Sequence, residues 1–354
     1  MKNSKTVAVV GGGIFGCTSA WMLAKEGFDV ALFEKESDIF RATSSINQYR
    51  LHKGYHYPRS IETALSSKNS EHEFLEVYGD AVVESDTKNY YCISNKESKV
   101  TKNAYLKFLS QTGLPYSNNS PSFIFNENID LCILCDEKLY NPLILKNICK
   151  KYLEIQKVKI NLNTEFSKED LLGFDYVVNA TYSNLNSILN KKEWQRYQFE
   201  LCEKPVLKLP EQYKNQSVVI MDGPFTCIDP LKGTPYHVIG NVKHAIHKTN
   251  TGFFPEADEK FKDLLNKGMV SNPSITNIDK FYETATLFFK DVSKFQYIGS
   301  MYTYRAVLPE RDSDDARPTL VNKVNDRMFT IFSGKVGTCV SAAKELIKQL
   351  NELR

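Results

Sequence analysis

The chain has 354 residues, 42% hydrophobic and 25% charged, with a formal net charge of +3. That length fits roughly two domains with a sizeable core. The near-balanced charge, without a long Lys/Arg block, argues against a nucleic-acid partner, and no apolar run approaches the ~18 residues of a membrane span.

The first segment reads as strand, glycine turn, helix, strand, acid. Gly11, Gly13 and Gly16 form G-x-G-x-x-G directly after the apolar run Val7–Val10, and Glu34 closes the next apolar run, Val30–Phe33. This is the order of a dinucleotide-binding βαβ unit. Gly11 permits the turn, Gly13 lets backbone approach a pyrophosphate, and Gly16 lets helix pack on strand. Free N–H groups at the helix start, beside Ile14 and Phe15, favour phosphate charge. Glu34 is placed to accept from both ribose hydroxyls, which disfavours NADP; Lys35 follows it. A strand starting near Thr6 leaves no room for a signal peptide, so the expected location is the cytoplasm.

A loop over 35–60 and a helix over Ser60–Tyr78 come next. KNYYCISN, SFIFNEN and LCILCDEKLY read as strands. A helix over Lys102–Gln111 lies between the first two, ended by Gly113 and Pro115. Cys132 and Cys135 form a C-x-x-C, but no second pair or His cluster completes a metal set, so they read as strand residues and no metal is expected. Asn141-Pro142 starts a helix, followed by strands in VKINLNTEF and FDYVVNATYSN. From 196 to 300 strand-like runs return (PVLKL, SVVIMDG, YHVIGNVKHAI), interrupted by helical stretches near Glu256–Asn266 and Ile275–Lys290. His244 and His247 lack a full ligand set and read as a solvated loop, while His237 and His244 are candidates to line a substrate sheet. FTIFSGKVGTCVSAAKELIKQL ends the chain as strand, glycine loop, helix. The expected fold class is α/β: a cofactor domain built on the Rossmann-like βαβ unit (1–80, 141–195 and 301–354), interleaved with a mostly antiparallel β substrate domain (81–140 and 196–300).

Three blocks carry a family resemblance: the N-terminal fingerprint with Glu34; RATSSINQYRLHKGYHYP, residues 41–58; and YRAVLPERDSDDARPTL with FSGKVGTCVSAA near the end. Together they resemble the D-amino-acid oxidase/glycerol-3-phosphate dehydrogenase (DAO) group of FAD-dependent oxidoreductases. The resemblance implies FAD as cofactor and hydride transfer from an alcohol or amine C–H to flavin N5. Arg41, Thr43, Ser44 and Ser45 would lie along the pyrophosphate and ribityl chain, although Thr43 or Ser44 could equally cap a helix. His52 and His56 would sit near flavin and substrate, His52 as a proton acceptor. Arg305 would hold a substrate carboxylate or phosphate; Asp312 or Asp315 offer it a structural partner instead. Ala180 and Thr181 would approach the cofactor, as would the loop Gly334, Lys335, Val336, Gly337 and Thr338, whose backbone N–H groups would face the flavin edge that gains charge on reduction. The Tyr-rich block resembles members tied to modified surface sugars. It implies a carbohydrate or nucleotide-linked sugar substrate, with a small hydroxy or amino acid as the other candidate. A flavin-dependent sugar isomerase without net redox change is the alternative chemistry.

Overall fold

The structure is a computed structural model, and it describes residues 4–82, 87–223, 226–256, 258–310 and 317–353. Asp312 and Asp315, the alternative partners of Arg305, lie outside the described residues.

Two large sheets organise the molecule. The first has six strands in the order Leu320–Lys323, Met328–Phe332, Tyr176–Asn179, Thr6–Val10, Asp29–Phe33, Lys159–Asn161, parallel apart from its Leu320–Lys323 edge. Successive side chains of a strand point to opposite faces. Val7 and Val9 therefore enter one core, with helices Ile14–Lys25, Pro142–Ile155 and Cys339–Asn351, while Ala8 and Val10 enter a smaller one with Phe166, Val177 and Met328. This two-faced burial is why the central strands read as unbroken apolar runs.

The second sheet has nine strands. All pairs are antiparallel except Lys88–Ser94 with Gln216–Met221. Its longest pairing joins Tyr197–Lys208 to Gln296–Val307, so this sheet extends to Val307, past the expected boundary at residue 300. A two-stranded ribbon, Arg50–Leu51 with Lys138–Leu139, lies inside the expected 35–60 loop and ties it to the far end of the strand Ile129–Cys135.

Several local expectations hold with their chemistry visible. Ser60 caps Ile61–Tyr78, Thr101 caps Lys102–Thr112, and Asn141 caps Pro142–Ile155 with Pro142 in the first turn. Gly113 ends its helix at φ +61°, a left-handed conformation suited to glycine.

Others need correction. SFIFNEN is no strand: Phe123 and Ile124 are buried anchors in the core under Tyr213 and Phe289, and a turn follows. Among the described residues of the 256–266 stretch the helical part is a short turn at Glu259–Phe261, with Phe261 and Leu264 packed in one core with Tyr302. The 275–290 helix is confined to Ile278–Thr286, and VKINLNTEF pairs over Lys159–Asn161 alone. His247 is not in a solvated loop. It lies on the edge strand Ile246–Gly252 with Nε2 2.8 Å from the buried Glu203 carboxylate.

Candidate functional site

The glycine turn is held by its own backbone. Gly11 has φ +105°, and a Cβ there would meet Ala180 O at 2.8 Å. A Cβ on Gly16 would lie 1.8 Å from Gly11 O, so only glycine lets this helix start so close to the turn. Glu34 does not point away to await a ligand with both oxygens. Its Oε2 accepts from Gly12 N–H at 2.7 Å and its Oε1 from Glu36 N–H at 2.9 Å, bonds that fix the carboxylate beside the turn. Ser44 Oγ accepts from Ile14 N–H at 2.9 Å, so a hydroxyl from the 41–45 loop faces the helix start.

These groups line a cleft of about 330 Å³. Gly11, Gly13, Ile14, Phe15, Glu34 and Lys35 form one wall. Arg41, Thr43 and Ser44 form another, and Ala180, Thr181, Gly334, Lys335 and Val336 close it. The remaining expected contacts sit behind that surface. Gly16 packs on the turn, and Ser45 O accepts from the Tyr49 hydroxyl. Gly337 lies under Leu51, and Thr338 Oγ1 donates to Lys335 O at 2.9 Å. Lys335 is buried, with its amine over the Tyr57 ring at 3.9 Å and 3.2 Å from Ser67 Oγ.

A second cleft, of about 470 Å³, opens beneath the second sheet. Thr43, Asn47, Gln48, Arg50 and His52 line both clefts, together with Tyr182, Thr303 and Gly334, so the 43–52 stretch makes up most of their common wall. His56 and Arg305 line the second cleft alone. The His52 and His56 rings are 5.2 Å apart. Arg305 Nε donates to Glu200 Oε2 at 2.5 Å, across the register pair of the two long strands. His237 is turned away from both clefts, its Nε2 3.0 Å from Tyr213 O, and neither it nor His244 lines the second cleft.

Sequence reasoning passed over a charged group behind the common wall. Arg50 Nη2 lies 2.7 Å from Asp229 Oδ1 and 2.6 Å from Ser217 Oγ, and Nη1 lies 3.3 Å from Glu137 Oε1. Burial pushes the Glu137 carboxyl up, but His52, Arg50 and the Tyr91 hydroxyl beside it outweigh that and hold it down to about 2. Lys204, in the second cleft, was also missed; burial pushes its amine below the usual lysine range. Charged residues inside apolar strand patterns were the available signal, since such groups are almost never fully buried without partners.

The fold agrees with that of known proteins. Residues 6–98 match the family DAO, FAD dependent oxidoreductase. The chain is 25% identical to the FAD-dependent monooxygenase FPY4 of Fusarium mangiferae, over 99% of this chain and 92% of that one. Glycine oxidase from Geobacillus kaustophilus superposes with a TM-score of 0.71 at 16% identity, covering 99% and 95% of the two chains. The FAD-bound L-α-glycerophosphate oxidase of Mycoplasma pneumoniae does so with 0.70 at 16% identity, covering 99% and 95%. Residues 6–98 thus match the DAO family of FAD-dependent oxidoreductases, the whole chain shares its fold with enzymes of that kind, and FAD is the cofactor these matches support.

Proposed function

We propose that this enzyme oxidises a C–H bond of a small alcohol or amine in the second cleft, with FAD lying along the first. The wall shared by the two clefts is the observation that carries this reading, because a cofactor and a substrate meet there. The residues fit the cofactor. Gly11 and Gly13 leave room for a pyrophosphate where a side chain would intrude, the helix start offers N–H groups and a favourable dipole, and Glu34 stands at the ribose end. FAD, when bound, supplies the hydride acceptor at its N5.

The protein's part is orientation and proton transfer. His52, at the shared wall, takes the hydroxyl or amine proton as the hydride leaves. His56, 5.2 Å away, lines the substrate side. The second cleft carries more cations than anions along its lining: Arg59, Lys99, Lys204, Arg305 and Arg317 stand against Glu200 and Asp222, while the charge of Arg50 is matched by Asp229 and Glu137. That balance favours a substrate with an anionic group, which a hydroxy acid, an amino acid and a nucleotide-linked sugar all carry. An anion beside Lys204 would restore the charge that burial opposes.

The test is an anaerobic titration of the flavin spectrum with hydroxy acids, amino acids, free sugars and nucleotide-linked sugars. Bleaching by an anionic class is expected. Bleaching by neutral sugars alone would overturn the charge argument, and no bleaching by any class would overturn the oxidase reading. With the bleaching substrate, His52→Ala is expected to slow flavin reduction by about 100-fold or more while FAD affinity changes little; an unchanged rate removes His52 from proton transfer.

A further inference from the structure

The group behind the shared wall has an unusual charge balance. One guanidinium, Arg50, stands between two carboxylates, Asp229 and Glu137, and all three side chains are at most 2% exposed. Asp229 takes the closer share of Arg50, and Ser217 bridges the two, donating to Asp229 Oδ1 at 2.8 Å. Glu137 is left with a weaker share at 3.3 Å, yet its position is fixed. Its Oε1 accepts from the Tyr91 hydroxyl at 2.6 Å, its Oε2 from Lys53 N–H at 3.1 Å, and its backbone carbonyl from Asn89 at 2.7 Å. The cluster therefore holds one more negative charge than positive. The adjoining group able to take up a proton is His52, whose Nδ1 lies 3.3 Å from Glu137 Oε1.

The two ends of that imidazole are in different surroundings. Nδ1 is fully buried, while the side chain as a whole is 25% exposed and lines both clefts, so the exposed part of the residue lies away from Nδ1. The Nδ1–Oε1 approach is not aligned as a hydrogen bond, and catalytic contacts commonly tighten only once substrate is in place. A carboxylate accepts but cannot donate, so facing it with Nδ1 requires the proton on Nδ1 and leaves the Nε2 lone pair open.

We propose that Glu137 is the positioning residue of this site: it fixes His52 in the tautomer whose Nε2 accepts the substrate proton, and its charge balances the imidazolium that results. This rests on the reading of His52 as proton acceptor. The proton moves from the substrate O–H or N–H to Nε2, giving an imidazolium with N–H on both nitrogens, and the buried cluster becomes neutral. Other titratable groups facing His52 are Arg50 and Lys53 on its own segment, His56 and Tyr57 in ring contact, and Tyr91 and Lys335 through those neighbours. They stay in place in every variant below except where named.

The chain has six histidines, so ¹⁵N-histidine NMR of the holoenzyme is tractable, with His52→Gln assigning the signal. Wild-type His52 is expected to show a protonated Nδ1 and a bare Nε2. In Glu137→Gln the tautomers should mix, flavin reduction should slow by about 10-fold or more, and the acid limb of its pH profile should move down by about one unit. Glu137→Asp keeps the charge and should recover part of the rate. Tyr91→Phe removes a competing donor from Oε1 and should move the acid limb the opposite way, which damage to the fold would not do. If His52→Gln leaves reduction unchanged, the proton-acceptor reading fails. If it slows reduction while neither Glu137→Gln nor Tyr91→Phe moves tautomer or limb, that reading stands and Glu137 is merely structural. Should Glu137→Gln not fold, Tyr91→Phe decides alone.

Discussion

At the residue scale, Glu34 is placed to serve the protein and the proposed ligand together. Its carboxylate is already held by two backbone N–H groups, at 2.7 and 2.9 Å, so no rotamer search would precede the ribose contact proposed for it. Glu34→Ala is expected to weaken FAD binding by about 1.5–3 kcal/mol for each charge-assisted hydrogen bond lost, measured by titrating FAD into apoprotein; unchanged affinity would remove Glu34 from the site. The glycines and this acid were legible because the constraint is local, a turn and a helix start within one short stretch. Arg50, Glu137 and Asp229 were not. They come from three distant segments, and a charge inside an apolar strand pattern signals that it has a partner without saying which. Arg305 shows the same gap: its partner in the structure is Glu200, set opposite it by strand register rather than by sequence proximity.

At the element scale, strands and helices with strong periodicity or caps were readable, and those whose apolar residues serve as anchors were not. Phe123 and Ile124 look like strand because Phe and Ile favour strands, but here they plug the core beside Tyr213. The ribbon Arg50–Leu51 with Lys138–Leu139 has too few residues for any pattern to show. The glycine turn gives the sharpest element-level prediction. In Gly16→Ala the new methyl meets Gly11 O, a backbone atom that cannot swing aside. The helix must lift from the sheet, with a cost at or beyond the upper end of the ~1–3 kcal/mol of ordinary overpacking. Thermal unfolding and the flavin content of purified protein check this, and wild-type values in both would refute it.

At the scale of the whole molecule, buried titratable groups set how acid destabilises the fold. Burial against the strand Thr226–Pro230 holds His237 down to about 4, below the 6.5 of a free imidazole. The unfolded chain therefore takes up this proton first on acidification. The stabilising effect of the neutral ring is complete above about pH 6.5 and drains away as pH falls toward 4. Urea midpoints for the wild type should fall over that window, and His237→Gln should flatten the trend; parallel slopes would show that other groups dominate.

The shared wall has a thermodynamic consequence. Thr43, Asn47, Gln48, Arg50 and His52 serve two clefts from one stretch of backbone, so a ligand that settles this stretch in either cleft prepays ordering entropy for the other. The two affinities are then bound by reciprocity: whatever factor the substrate adds to FAD binding, FAD adds to substrate binding. FAD dissociation constants measured with and without a non-reducible substrate analogue should differ, and equal constants would mean that the stretch is already rigid. Where they differ, an enzyme short of flavin would also lose its grip on substrate, leaving the unloaded fraction of the protein out of competition for it.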